Sequence, residues 1–184
     1  MGKNRQSLLL TDTDGRGNIE AMMDYCLAWT FKMCDKNNHG DKVNHKLLSE
    51  CQNILSKLIG FDVTKESFSI STYLEWRKID LVVEINFDNS DHHVFLIENK
   101  VNSKLQDWQL SHNRIIFKDY YDNDILKWVE HYFLISAHKD VVDMMEQCDK
   151  DGYQFFALEE LTDYYAEDTG NAIFDEFWRR DWGE

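Results

Sequence analysis

The sequence predicts a mixed α/β domain in which helices flank a central sheet. Two helix-periodic segments come first, a group of β-rich segments follows, and helical and β-rich segments then alternate to the end of the chain. With 184 residues, 43% of them hydrophobic, the chain can bury the core of one compact domain. We expect a flexible N-terminal segment at residues 1–17 and a single domain over residues 18–184.

The two helices at the start follow from the spacing of apolar side chains. Over residues 18–34 these side chains recur every three or four positions, and Asn18 is a candidate N-cap. A second pattern of this kind covers residues 42–59 and is followed by Gly60, where a glycine C-cap is typical. The polar residues 35–41 between the two patterns indicate a loop.

The β-rich segments begin after Gly60. Residues 61–74 partly alternate between apolar and polar side chains, as a half-buried strand does. Residues 79–85 and 93–97 are two further β-rich runs, and the turn-forming residues 88–91 separate them. This arrangement predicts a hairpin whose two strands are antiparallel neighbours.

Alternating helices and strands are predicted after the hairpin. In order they are a helix over residues 104–121, a strand over 131–136, a helix over 141–148, a strand over 153–158 and one or two acidic helices from residue 159. In the first of these helices, Trp108, Ile115 and Tyr120 are among the candidate core residues.

The net charge of −14 is concentrated at one end of the sequence. Residues 119–184 carry five basic and 18 acidic side chains, whereas residues 1–118 are close to neutral. Because nucleic-acid-binding surfaces are usually basic, this balance argues against tight non-specific binding by the monomer. This charge balance does not exclude an active site in the near-neutral part of the chain. Acidic side chains concentrated in this way most commonly form a solvated surface.

The four cysteines include no CxxC pair. A zinc site made of Cys26, Cys34, His39 and His45 can be drawn, but its spacing matches no common zinc motif. Buried, reduced thiols are the favoured interpretation.

The distribution of apolar residues predicts a cytoplasmic protein without membrane spans. No run approaches 18 consecutive apolar residues, as a transmembrane helix would require. Residues 1–18 lack the apolar segment of a secretory signal peptide.

Asp80, Glu98 and Lys100 are the candidate catalytic residues. Glu98 and Lys100 are two residues apart at the end of a predicted strand, which places them on one face, and hairpin pairing brings Asp80 beside them. Two carboxylates can bind a hard divalent cation such as Mg²⁺. A cation and a neighbouring lysine can activate water and stabilise negative charge on a phosphate, which phosphodiester hydrolysis requires.

Several motifs resemble the PD-(D/E)XK nuclease superfamily over about residues 18–160. The motifs that carry the resemblance are residues 20–24, 27–29, 39–40, 75–80, 97–100 and 109–110. Three departures accompany them. Ile79 occupies the proline position, Asp24 stands where a serine is usual, and the arginine-tyrosine pattern that often follows Gln109–Leu110 is blurred at residues 111–114.

The resemblance implies a restriction-endonuclease-like α-β-β-β-α-β core and a nuclease that requires Mg²⁺ or Mn²⁺. By matching position, Asp80, Glu98 and Glu20 become metal ligands, Lys100 the catalytic lysine and Gln109 a side chain near the lysine or the substrate. The implied substrate is DNA, with RNA also open, and the implied setting is defence against or conflict with mobile elements. A homodimer or a basic partner protein would supply affinity for the substrate.

Non-catalytic interpretations of the same residues stay open at the level of sequence. Asp80, Glu98 and Lys100 would form a solvent-facing salt-bridged trio, Glu20 a surface carboxylate near a helix N-terminus, and Gln109 an exposed helical residue. The whole chain would then be an acidic binding protein on a nuclease fold, which docks onto a basic or nucleic-acid-binding partner.

Overall fold

The computed structural model describes residues 19–88, 91–101, 103–138, 141–163 and 165–179. The expected flexible segment at residues 1–17 and the N-cap Asn18 lie outside these ranges. Within them the elements are, in order, α1 (Ile19–Lys32), α2 (His45–Ile59), β1 (Phe68–Trp76), β2 (Ile79–Phe87), β3 (His92–Lys100), α3 (Gln109–Tyr121), β4 (Trp128–Ser136), α4 (Val142–Asp151), β5 (Gln154–Ala157), α5 (Leu158–Leu161) and α6 (Ala172–Trp178). A short 3₁₀ turn at Lys36–His39 lies between α1 and α2.

The five strands form one mixed sheet in the order β1-β2-β3-β4-β5. Strand β2 is antiparallel to both β1 and β3, and β3, β4 and β5 are mutually parallel. The predicted α/β class and the α-β-β-β-α-β order are therefore confirmed. The β2–β3 hairpin is confirmed as well, although residues 89–90 of its turn lie outside the described ranges.

Helices cover both faces of the sheet, and strand alternation decides which side chain faces which layer. On β3, Phe95 and Ile97 pack into the core shared with α1, α2 and α6. Val94 and Leu96 pack into a second core with α3 and α4. The same alternation continues to the end of β3, so successive side chains there face opposite helical layers.

Helix α3 begins later than predicted, at Gln109 instead of residue 104. Its buried positions are spaced three or four residues apart: Leu110, Asn113, Phe117 and Tyr121. The expectation that Trp108, Ile115 and Tyr120 belong to the core is wrong, because they are 59%, 68% and 43% exposed. The buried face of α3 includes the polar Asn113, which a search for apolar periodicity does not detect.

The four cysteines are free and buried, as expected for structural thiols. Among the described residues, no group of three or more His, Cys, Asp or Glu side chains is placed to bind a metal, so the zinc alternative has no support. None of the helices in the described ranges is both long and apolar enough to cross a membrane.

Candidate active site

The start of β2 and the end of β3 meet at one edge of the sheet because the two strands are antiparallel. The register pairs Leu81 with Ile97, so the preceding residue Asp80 lies beside Glu98. Lys100 lies two residues beyond Glu98, on the same face of β3. The structure therefore brings together the three side chains that sequence reasoning selected.

Glu98 lies at the centre of this cluster and is 0% exposed. Lys100 Nζ donates a hydrogen bond to Glu98 Oε1 at 2.6 Å. From α3, the Gln109 side-chain amide also donates to Oε1, and Asn113 Nδ2 donates to Oε2 at 3.0 Å. Three donors from two elements thus fix the orientation of one buried carboxylate.

Asp80 is half-buried and is linked to the opposite layer through Asn99. The Asn99 backbone N–H donates to Asp80 Oδ2 at 3.0 Å. The Asn99 side chain is on the other face of the strand, where its Nδ2 donates to the buried Asp24 of α1. Asp24, Asn99 and Asp80 therefore form a connection across the sheet edge.

Glu20, in the first turn of α1, binds the loop after β3. Its Oε1 accepts hydrogen bonds from Ser103 Oγ at 2.6 Å, from Val101 N at 3.1 Å and from Ser103 N at 3.3 Å. Oε1 of Glu20 is engaged in this way, and among the described residues Glu20, Asp80 and Glu98 do not form a group of three carboxylates placed to bind a metal.

Burial and mutual repulsion make the Asp80–Glu98 pair costly to ionise. Burial, and then the negative charge of Asp80, raise the pKa of Glu98 to about 8, although Lys100 opposes this effect. Burial also raises the pKa of Asp80, against the Asn99 N–H and the Lys100 charge. Two ionised carboxylates beside one ammonium group leave one negative charge without compensation in a buried site.

The pKa values of Lys100 and Glu20 are shifted in the directions that favour the charged form of each side chain. Burial opposes the charge of Lys100, but the Glu98, Asp80 and Glu20 carboxylates outweigh it and raise the pKa of the ammonium group. Burial likewise opposes ionisation of Glu20, but hydrogen bonds from Ser103 and Val101 and the Lys100 charge lower its pKa overall. Lys100 is therefore a cation at neutral pH.

The donor set of this cluster fits a hard divalent cation. Mg²⁺ prefers oxygen ligands and is usually bound by one or two carboxylates, with water and substrate phosphate completing its coordination. The half-buried Asp80 and the buried Glu98 supply two such carboxylates. A third protein carboxylate is not required by this chemistry, and a bound cation would compensate the excess negative charge.

Sequence reasoning missed four residues that donate hydrogen bonds to the selected ones, Asn99, Val101, Ser103 and Asn113, and a fifth, Asp24, that accepts from Asn99. Two of them had a detectable signal, because Asp24 and Asn113 follow Glu20 and Gln109 by four residues on a helix and therefore share their faces. Asn99 and Val101 reach Asp80 and Glu20 through backbone N–H groups, which carry no sequence signature. Ser103 contacts Glu20 through its hydroxyl as well as its backbone N–H.

Comparison with known proteins agrees with this geometry. A family model described as the PD-(D/E)XK nuclease superfamily matches residues 8–120, which is more than half of the chain and includes every candidate site residue. Searches of curated proteins and of solved structures gave no match to the chain. On the strength of the family match and the fold, this chain belongs to the PD-(D/E)XK nuclease superfamily.

Proposed function

We propose that this protein is a divalent-metal-dependent nuclease that hydrolyses phosphodiester bonds in DNA. One observation carries the proposal: Asp80, Glu98 and Lys100 converge at one sheet edge, with both oxygens of Glu98 oriented by hydrogen bonds. Such orientation is unusual for a surface salt bridge, because it surrounds a fully buried carboxylate with donors. DNA as the substrate, and defence or conflict with mobile elements as the setting, rest on the family resemblance alone.

Asp80 and Glu98 would hold the cation, Mg²⁺ or Mn²⁺, through their carboxylate oxygens. When bound, such an ion supplies Lewis acidity to the reacting phosphate and its water. Gln109 and Asn113 keep Glu98 in one orientation, and the Asn99 N–H does the same for Asp80. The protein thereby presents the two carboxylates without the rearrangement that a flexible pair would need.

Lys100 acts as a cationic hydrogen-bond donor in this scheme. Its raised pKa keeps the ammonium group protonated at neutral pH, so it orients the attacking water and stabilises negative charge that develops on the phosphate. Glu20 supports the site indirectly, because it binds the loop at Val101 and Ser103 that directly follows Lys100.

A cleavage assay with different metals tests the function. Purified protein is incubated with supercoiled DNA, linear DNA or RNA in the presence of Mg²⁺, Mn²⁺ or EDTA, and the products are separated by electrophoresis. We expect cleavage of DNA with either metal and none with EDTA, because the two carboxylates need a cation to act on phosphate. Nicked circles would indicate single-strand endonuclease action, and linear product without a nicked intermediate would indicate two copies acting together.

The rival function is that of an acidic binding protein, and the concentration of negative charge in residues 119–184 is the observation that favours it. Calorimetric titration with Mn²⁺ separates the two. A protein that cleaves no nucleic acid, binds no Mn²⁺ and captures a basic protein would contradict the nuclease proposal and support the rival.

A further inference from the structure

The turn between β1 and β2 lies directly before Asp80. Trp76 pairs with Ile79, which leaves Arg77 and Lys78 as a two-residue hairpin turn. Both residues have positive φ, 52° for Arg77 and 72° for Lys78. We call Arg77 and Lys78 the hairpin tip.

The conformation of the hairpin tip is unfavourable for its residues. Two-residue turns with positive φ at both positions favour Asn-Gly, because glycine and asparagine tolerate the left-handed backbone. Other side chains held in this region strain the backbone, and such strain is concentrated at active sites and ligand clamps. Stability alone would therefore select different residues at the hairpin tip.

Aromatic rings from two elements support Arg77. Its guanidinium carbon lies 4.9 Å from the centroid of the Trp76 ring and 5.1 Å from that of the Tyr120 ring on α3. The two rings also contact each other, with centroids 5.0 Å apart. A cation–π contact uses the face of the guanidinium and leaves its N–H groups available to a ligand.

No residue in the described ranges neutralises the charges of the hairpin tip. Arg77 and Lys78 are both exposed, and neither forms a salt bridge or a side-chain hydrogen bond with any described residue. They are two adjacent cations in a chain whose net charge is −14. Lys78 precedes Asp80 by only two residues in the chain.

We propose that the hairpin tip binds a backbone phosphate of the nucleic-acid substrate and so positions the strand beside Asp80. This inference rests on the proposed nuclease function and adds a substrate-contacting element to it. Arginine and lysine are the usual phosphate ligands in nucleic-acid complexes, and phosphate contacts fix the register of the nucleic acid on the protein. The strained turn presents both cations at the same edge as Asp80, Glu98 and Lys100.

The double variant Arg77→Asn/Lys78→Gly tests this inference, because it removes both charges and installs the sequence that the turn prefers. It is made in a Glu98→Ala background, and binding to fluorescent duplex DNA is followed by anisotropy in Mg²⁺ at several salt concentrations. We expect stability equal to or above that of the Glu98→Ala parent, affinity at least about 10-fold lower, and a shallower dependence of log K on log salt. For the loss of one phosphate contact the slope should fall by about 0.9.

The control is Lys36→Ala/Lys42→Ala, which removes two exposed cations near the far end of α1 and changes the net charge equally. It should retain the affinity and the salt slope of the parent. The proposal is overturned if the hairpin-tip variant binds as the control does, or if the parent binds neither DNA nor RNA. A wild-type protein that binds DNA but never cleaves it contradicts the nuclease function. In that case the difference in salt slope between the hairpin-tip variant and its parent still decides whether the hairpin tip binds phosphate.

Discussion

Asp24 is the residue at which the candidate site departs most clearly from its family resemblance. It lies one helical turn after Glu20, is 9% exposed and accepts a hydrogen bond from the Asn99 side chain. Burial, followed by the charges of Asp80 and Glu20, raises its pKa to about 8. A serine at this position would add no charge to a cluster that already contains excess negative charge.

The raised pKa of Asp24 predicts how stability depends on pH in the metal-free protein. Its ordinary pKa is about 3.9, so between about pH 4 and pH 8 the folded state keeps a proton that the unfolded state has released. The contribution of Asp24 to stability is therefore fully present below pH 4 and is lost as the pH rises towards 8.

Asp24→Asn removes this titration and retains a side-chain oxygen that can accept from Asn99. We expect the variant to gain stability relative to wild type as the pH rises from 5 to 8, by up to about 1.4 kcal/mol per pH unit. Urea unfolding in EDTA at pH 5, 6, 7 and 8 measures the difference, with the exposed Asp41→Asn as control. A constant difference between Asp24→Asn and wild type across this range would contradict a raised pKa for Asp24.

At the scale of elements, α3 connects the core to the candidate site. Leu110, Phe117 and Tyr121 bury one face of the helix, and Asn113 occupies the same face opposite Glu98. The apolar positions predicted a helix here, but they did not reveal where it begins. Residues after Lys100 first form the loop that binds Glu20, and α3 starts only at Gln109.

Replacing Asn113 with leucine tests whether this position serves the site or only the core. Leucine suits a buried helical position, but it leaves Glu98 Oε2 without its donor, which costs about 1 to 3 kcal/mol. We expect a folded protein of reduced stability and a cleavage rate lowered by about 10-fold or more, measured by circular dichroism, urea unfolding and plasmid cleavage.

The matched control is Ile116→Leu, a conservative change on the same helix outside the contacts with Glu98. It should cleave at nearly the wild-type rate. Full activity in Asn113→Leu would show that the orientation of Glu98 does not depend on Asn113.

At the scale of the whole molecule, the spacing of apolar residues predicted the order of the helices and strands. That order in turn predicted a central sheet flanked by helices. Apolar alternation and the turn at residues 88–91 were sufficient to place Asp80 beside Glu98, because hairpin pairing is a local relation. The links of Asp80 to Asp24, through Asn99, and of Glu98 to Asn113 join strand residues to residues on two different helices. They depend on how α1 and α3 pack on the sheet, which a single sequence does not specify.

The charge distribution is a second property of the whole molecule. Most of the excess negative charge belongs to residues after 118, whereas Asp80, Glu98, Lys100 and the hairpin tip all precede it. If the proposed function holds, a polyanionic substrate would meet the nearly neutral part of the sequence at the candidate site, where local cations matter more than the net charge.

The central claim is that Glu98 belongs to a metal-dependent nuclease site, and the initial rate of plasmid cleavage in Mg²⁺ tests it most directly. The comparison is between wild type, Glu98→Ala and the control Glu84→Gln. Glu84 is another carboxylate of the β2–β3 hairpin, but it accepts hydrogen bonds from Tyr73 and Tyr121 and from none of the candidate site residues. We predict similar rates for wild type and Glu84→Gln and a loss of at least about 100-fold in Glu98→Ala, since a metal ligand supplies several kcal/mol of transition-state stabilisation. A folded Glu98→Ala protein that cleaves at the wild-type rate would contradict the claim.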